Sequence, residues 1–307
     1  MATAFVFTGQ GSQFPGMGSD LAERFGQARE TFDEADAALG EPLSKLCFEG
    51  PDETLALTEN TQPATLATSI AAWRACGEPT CDLSAGHSLG EYTALVVAGA
   101  LQFADAVRLV RERGRRMQAA VPVGTGGMVV LRKKSLDEAR EIAAKVTRGV
   151  CDVANDNAPG QVVLSGASEA MDEVMEIVGP RGGLRLNVSV PFHSSLLRAA
   201  AEDFATVLAD TPIADPRMPV WCNVDAAPVT DAAAVRDALA RQFAGSVRWR
   251  PSVEGMLTQA GATRFVEFGP KPTLAKMVGQ IATSIGKDGI VTEAVCGPDD
   301  VDRFTGA

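Results

Sequence analysis

Histidine and tyrosine are scarce in this chain of 307 residues: His87 and His193 are the two histidines, and Tyr92 the single tyrosine. Two histidines argue against a His-rich metal site, and the six cysteines include no Cys-x-x-Cys pair from which a zinc knuckle is built. Cys47, Cys76, Cys81, Cys151, Cys222 and Cys296 read as free thiols, because a chain this long needs no disulfide staples. Positive charge is also short. Lys and Arg number 28 against 39 Asp and Glu, a net charge of −11, which argues against general binding to nucleic acid or anionic membranes. No apolar run approaches the roughly 18 residues of a membrane span. The N-terminal Met1–Phe7 has no basic segment and too short an apolar one for a signal peptide. It reads as the first buried strand of a cytoplasmic protein. Gly124-x-Gly126-Gly127 is not a dinucleotide fingerprint, because the strand follows it and no acidic residue is suitably placed.

What is present is ordinary globular composition, 46% hydrophobic and 22% charged, enough for one large core and a smaller lobe. The organising stretch is Ala85-Gly86-His87-Ser88-Leu89-Gly90-Glu91-Tyr92. Its Gly-x-Ser-x-Gly spacing is that of a nucleophile elbow, a sharp strand-to-helix turn that lifts a serine hydroxyl above a sheet. Cys81 to Ala85 reads as the strand and Leu89 to Leu101 as the helix. The first N–H groups of a helix have no internal partner, so the main-chain N–H of Leu89 is available to a developing oxyanion. A serine nucleophile needs a base. His87 adjoins Ser88 on the strand end and should leave on the opposite face, which leaves His193 as the general base.

Around the elbow, Thr3–Phe7 reads as a strand that ends in the glycine-rich Thr8–Gln13 loop. Leu21–Leu39 reads as one helix, Leu43–Leu57 as a shorter one broken at Gly50-Pro51, and Thr61–Ala75 as a helix with Pro63 near its first turn. Phe103–Gln118 carries five arginines. At about 100° per residue from Arg108, apolar residues fill an arc of roughly 100° to 200°. Arg108, Arg111 and Arg115 cluster on the far side as a solvated face. Arg113 falls near 140°, inside the apolar arc. A guanidinium aimed there needs an anion, either an internal carboxylate or that of a substrate.

Beyond the Pro122–Gly127 break the texture changes. Strands at Met128–Leu131, Val150–Ala154, Gln161–Ser165 and Leu184–Val188, with helices at Leu136–Val146 and Ala170–Val178, follow the order β-α-β-β-α-β of a ferredoxin-like lobe. The α/β texture then resumes with helices at Leu196–Leu208, Asp231–Phe243 and Pro251–Ala260. Strands follow at Val220–Asn223 and, last, at Arg264–Phe268. The lobe is therefore inserted, giving a large domain at 1–125 and 189–307 and a small one at 126–188. The tail after Gly286 carries little signal and reads as partly mobile.

Seven motifs occur in order: Phe7–Gln13, Thr61-Gln62-Pro63-Ala64, Gly86–Glu91, Arg113-Gly114, Asn155-x-Asn157-x-Pro159-Gly160-Gln161, Phe192-His193 and Gly269-Pro270. Together they resemble the malonyl-CoA:acyl carrier protein transacylases of fatty-acid synthesis and the related acyltransferase domains of polyketide synthases. The resemblance spans residues from about 4 to about 280. It implies an α/β-hydrolase-like large domain, a ferredoxin-like small one, and a site in the cleft between them. By the same resemblance Ser88 is the nucleophile and His193 the base. The main-chain N–H groups of Gln10 and Leu89 form the oxyanion hole, Arg113 binds the malonyl carboxylate, and the Gln242 carbonyl orients His193. Asn157 is a supporting residue, and Phe192 resembles acyltransferases that choose malonyl over methylmalonyl. Thr8 departs from the Pro usual in stand-alone bacterial enzymes and is common in polyketide acyltransferase domains.

The implied reaction passes malonyl from malonyl-CoA to Ser88 and on to the phosphopantetheine thiol of holo-acyl carrier protein, with no metal or bound cofactor and no need for more than a monomer. An acidic carrier would meet a basic patch at Arg115, Arg116, Arg132, Lys133 and Lys134. A polyketide acyltransferase, a serine hydrolase or thioesterase passing the acyl group to water, and a non-catalytic carrier-protein scaffold are the competing readings.

Overall fold

The computed structural model describes residues 2–188 and 190–306. Ser189, the expected first residue of the returning segment, lies outside them. In chain order the strands are β1 (Ala2–Phe7), β2 (Leu83–Gly86), β3 (Gly126–Arg132), β4 (Cys151–Ala158), β5 (Gln161–Ala167), β6 (Gly183–Arg185), β7 (Val220–Cys222), β8 (Ala227–Val229), β9 (Ala262–Phe268) and β10 (Val291–Val295). One sheet has the order β10-β9-β1-β2-β7-β8 and is parallel at every pairing except β7 with β8. The other, β4-β5-β3-β6, is antiparallel throughout. The fold is mixed α/β.

β1 runs through the middle of the large sheet, so both its faces are buried and its residues 4 to 7 are all apolar. Its period of two sends Phe5 and Phe7 into one core, with Phe32, Tyr92 and Phe268. Ala4 and Val6 enter the other, with Trp221, Trp249 and Phe265. The antiparallel sheet has its own core of Val129, Leu131, Leu164, Met171 and Val174 beneath the helices Leu136–Lys145 and Ser168–Gly182. The first of these helices begins in a capping box of Ser135 and Glu138, each satisfying a main-chain N–H of the other's turn.

Several boundaries differ from the sequence reading. The expected helix Leu21–Leu39 is two, Ser19–Arg24 and Gly26–Leu39, because Phe25 is extended between them. The helix expected at Thr61–Ala75 begins at Thr58, so Pro63 is its sixth residue; no capping side chain marks its start. The elbow helix stops at Val97, before Gly99 turns left-handed at φ 74°. The strand expected to end at Ala154 continues to Ala158, because β4 runs on through two register shifts. The tail forms regular structure instead: β10 extends the large sheet, and the helix Pro298–Thr305 buries Val301 and sets Phe304 against Phe268. As an edge strand, β10 runs from exposed Val291 and Thr292 to buried Val295 with no alternation, which left little hydrophobic signal to read.

Candidate active site

β2 ends at Gly86 and the helix Gly90–Val97 starts four residues later, so the chain reverses over Ser88. A Cβ on Gly90 would sit 2.0 Å from the carbonyl oxygen of Phe7, so the helix can approach β1 only as glycine. Ser88 pays for the turn with φ 51°, unfavourable for an L-residue. The strained backbone is held by Asn223, whose Oδ1 accepts the Ser88 N–H at 2.7 Å and whose Nδ2 donates to the Gly86 carbonyl at 2.7 Å.

His193 also has a left-handed backbone, φ 58°. Its Nε2 lies 2.8 Å from Ser88 Oγ. Its Nδ1 lies 2.9 Å from the Gly245 carbonyl and 3.2 Å from that of Gln242. Carbonyl oxygens only accept, so Nδ1 carries the proton and Nε2 is left to receive one from Ser88. Burial, then the nearby Arg113 charge, pushes the imidazole down to about 3, which keeps it neutral and able to accept. The turn that carries it is tied to β4. Asp152 Oδ2 accepts from Ser194 Oγ at 2.8 Å, Ser195 N at 2.7 Å and Ser195 Oγ at 2.8 Å. His87 points the other way, its Nε2 2.8 Å from Asn157 Oδ1 and its ring beside Trp249. Asn157 thus lies behind Ser88 rather than beside its hydroxyl.

Arg113 is 1% exposed and enters from the helix Phe103–Ala119. That helix lies against the start of Thr58–Ala75, where a Cβ on Gly114 would come within 2.5 Å of Glu59 Cα. The Arg113 guanidinium donates to Gln62 Oε1 at 2.7 Å, Gln242 Oε1 at 2.8 Å and Ser88 Oγ at 3.2 Å, and sits over the Tyr92 ring at 5.3 Å. No carboxylate bonds it among the described residues. A buried cation held by neutral amides has the chemistry to receive an anion. Arg111, expected on the solvated face, is 6% exposed instead and pairs with Glu41 and Asn60. A wheel registers one helix only, and these partners come from elsewhere in the chain.

Gln10 lies on the loop after β1. Its Oε1 accepts from Thr58 Oγ1 at 2.7 Å, and that hydroxyl accepts from Gln62 Nε2 at 3.0 Å, so a polar chain links the loop to Arg113. Among the described residues the main-chain N–H groups of Gln10 and Leu89 have no acceptor, leaving both free for a ligand oxygen. Phe192 is half-buried and, with Gln10, Thr58, Gln118, Asn187 and Val190, lines a cavity. Among the described residues no cluster of His, Cys, Asp or Glu could hold a metal ion, and no helix is long and apolar enough to cross a membrane. The cysteines are unpaired.

The sequence reading missed Asn223, Glu91, Gly245 and Asp152. Glu91 had the best signal, an acid in the first turn of the elbow helix, but that position suits a solvated acid equally well. In the fold it is 1% exposed, and burial pushes it up to about 7. Of the five basic residues read as a patch, Arg115, Arg116 and Lys134 are already paired with Glu59 and Glu112, Glu112 and Asp203, and Glu138.

Comparison with known proteins extends this geometry. The profile of the acyl transferase domain family matches residues 4–304. The malonyl CoA-acyl carrier protein transacylase of Salmonella typhimurium is 45% identical over 291 residues, 92% of this chain and 93% of that protein. The acyl-carrier-protein S-malonyltransferase structure from Burkholderia pseudomallei superposes with a TM-score of 0.93 at 42% identity, covering 100% of both chains. A malonyl-transacylase solved in complex with a type II polyketide acyl-carrier protein gives 0.93 at 38% identity, covering 100% of this chain and 99% of that one.

Proposed function

The chain belongs to the acyl transferase domain family, and from that premise we propose that it moves malonyl from malonyl-CoA to the phosphopantetheine thiol of holo-acyl carrier protein through a malonyl-Ser88 intermediate. The observation that carries the reading is Arg113, a buried guanidinium without a carboxylate partner, 3.2 Å from the hydroxyl that His193 activates.

The Ser88 proton passes to His193 Nε2 as Oγ attacks the thioester carbon. The resulting oxyanion is received by the N–H groups of Gln10 and Leu89. The imidazolium proton then goes to the departing CoA sulfur, leaving malonyl on Ser88. The carrier thiol gives its proton to His193, attacks the ester, and its tetrahedral intermediate collapses to restore the Ser88 hydroxyl. Malonyl supplies the anion that Arg113 lacks. It also offsets the Arg113 charge, which adds to burial in depressing His193, and so relieves part of that depression. Phe192, beside the base, sets the room around the acyl α-carbon.

The antiparallel sheet and its two helices form a ferredoxin-like small domain at 126–188, and residues 1–125 and 189–307 an α/β-hydrolase-like large one. Of the basic patch, Arg132 and Lys133 are the members without an ion pair among the described residues, and they are the carrier-protein contact in this reading. Fatty-acid synthesis is the pathway that this reading favours.

Intact-protein mass after brief mixing with malonyl-CoA, followed by a chase with holo-carrier protein, tests the reading. A malonyl adduct on wild type and none on Ser88→Ala, discharged quickly by carrier protein and slowly by water, is expected. Fast discharge by water would make the chain a hydrolase.

A further inference from the structure

The buried carboxylate of Glu91 has no part in the acyl transfer just described, and its surroundings show what it is for. Its Oε2 accepts the main-chain N–H of Asn223 at 2.9 Å and Gln242 Nε2 at 3.0 Å. Gln242 Nε2 also donates to the Ser88 carbonyl at 2.9 Å. A main-chain N–H can only donate, so the oxygen that receives it presents an acceptor to Gln242. The amide of Gln242 must then turn its nitrogen toward Glu91 and Ser88, and its oxygen toward Arg113. The opposite orientation would set NH2 against guanidinium N–H and carbonyl against carboxylate. The same carboxylate oxygen fixes the main chain of Asn223, whose side chain clamps the elbow at Ser88 and Gly86.

We infer that Glu91 is a positioning residue for acyl selection: it fixes the Gln242 amide so that Arg113 is held in place by an uncharged oxygen and stays open to a carboxylate, while Asn223 positions the nucleophile. The inference rests on the proposed malonyl transfer. It divides the network into two functions. Glu91 acts on Arg113 through the Gln242 side chain and on Ser88 at one remove, through the Asn223 main chain and the Gln242 amide, so its loss falls most heavily on carboxylated acyl groups. Asn223 acts on the Ser88 main chain, so its side-chain loss falls on every acyl group alike.

The test measures acylation of Ser88 by malonyl-CoA and by acetyl-CoA, together with labelling by a fluorophosphonate, which carries no carboxylate. In Glu91→Ala the malonyl-to-acetyl rate ratio should fall about tenfold, the worth of one buried hydrogen bond, with fluorophosphonate labelling held within about threefold. Glu91→Gln keeps an acceptor oxygen and should restore the ratio. Asn223→Ala, which loses both the acceptor for Ser88 and the donor to Gly86 and adds no charge, should slow all three reagents equally and leave the ratio at the wild-type value. A wild-type ratio in Glu91→Ala, or equal loss on malonyl, acetyl and fluorophosphonate, would overturn the inference, as would a changed ratio in Asn223→Ala. The wild-type malonyl adduct tests the functional reading separately, because fluorophosphonate labelling reports on Ser88 whatever the acyl donor.

Discussion

Arg111 and Arg113 lie two residues apart on one helix, both buried, and their surroundings differ in one respect. Arg111 meets the Glu41 carboxylate, Arg113 only uncharged oxygens, those of the Gln62 and Gln242 amides and the Ser88 hydroxyl. The first pocket is electrostatically complete and has no use for a ligand. The second leaves a positive charge unmatched beside a serine hydroxyl. Burying an unpaired cation is costly, so a fold that keeps one has a reason for it, and in the proposed function an anionic substrate supplies it. Burial as such does not separate a structural arginine from a binding one; the partner does.

The sharpest way to erase the difference is Gln62→Glu, which gives Arg113 the carboxylate that Arg111 already has. Malonyl acylation should fall about a hundredfold, the loss of a charge-assisted pair, with acetyl acylation little changed and the melting temperature not lowered. Quenched mass spectrometry and a thermal melt read the two sides. The converse change, Arg111→Ala, should cost about 2 kcal/mol of stability through lost packing and pairing, measured by urea unfolding, and leave the malonyl-to-acetyl ratio untouched. A shifted ratio would mean the two pockets are not independent.

The effect smallest per unit of change, and the furthest from acyl selection, is a pH slope. His193 is pushed down from 6.5 to about 3, so between those values the unfolded chain binds more protons and stability rises with pH. Glu91, pushed up from 4.5 to about 7, works in the opposite sense: the stability of its protonated form is lost as pH rises through 7. His193→Gln removes the first contribution alone. Its unfolding free energy relative to wild type should change by at most about 1.4 kcal/mol per pH unit between pH 3 and 6.5, gaining on wild type as the pH falls. A constant difference across that range would contradict the buried, neutral imidazole.

What could be read from the sequence was local. Gly86, Ser88 and Gly90 announce a turn because only that spacing lets helix and strand meet, and Arg113 stands out because its own helix places it among apolar neighbours. The β-α-β-β-α-β order of residues 126–185 was legible from alternation and turn residues. Contacts across long stretches of chain were not. Asn223 reaches Ser88 over 135 positions and Gly245 reaches His193 over 52, and no periodicity encodes such a pairing. Gln242 shows the middle case: its carbonyl was expected on His193 by resemblance, whereas its side chain, which joins Arg113 to Glu91, left no trace in the sequence. Arg111 failed for the same reason, because Glu41 and Asn60 cover it from other helices and connections. The tail failed through weak patterning: β10 and its following helix bury few residues each.

The most direct measurement offers equimolar malonyl-CoA and acetyl-CoA to wild type and to Arg113→Ala and weighs the acyl group on Ser88 within the first turnover. Wild type should carry malonyl. Arg113→Ala should carry acetyl, with malonyl uptake lowered at least about a hundredfold. A variant that still takes malonyl first would show that the unmatched charge of Arg113 is not what selects the substrate.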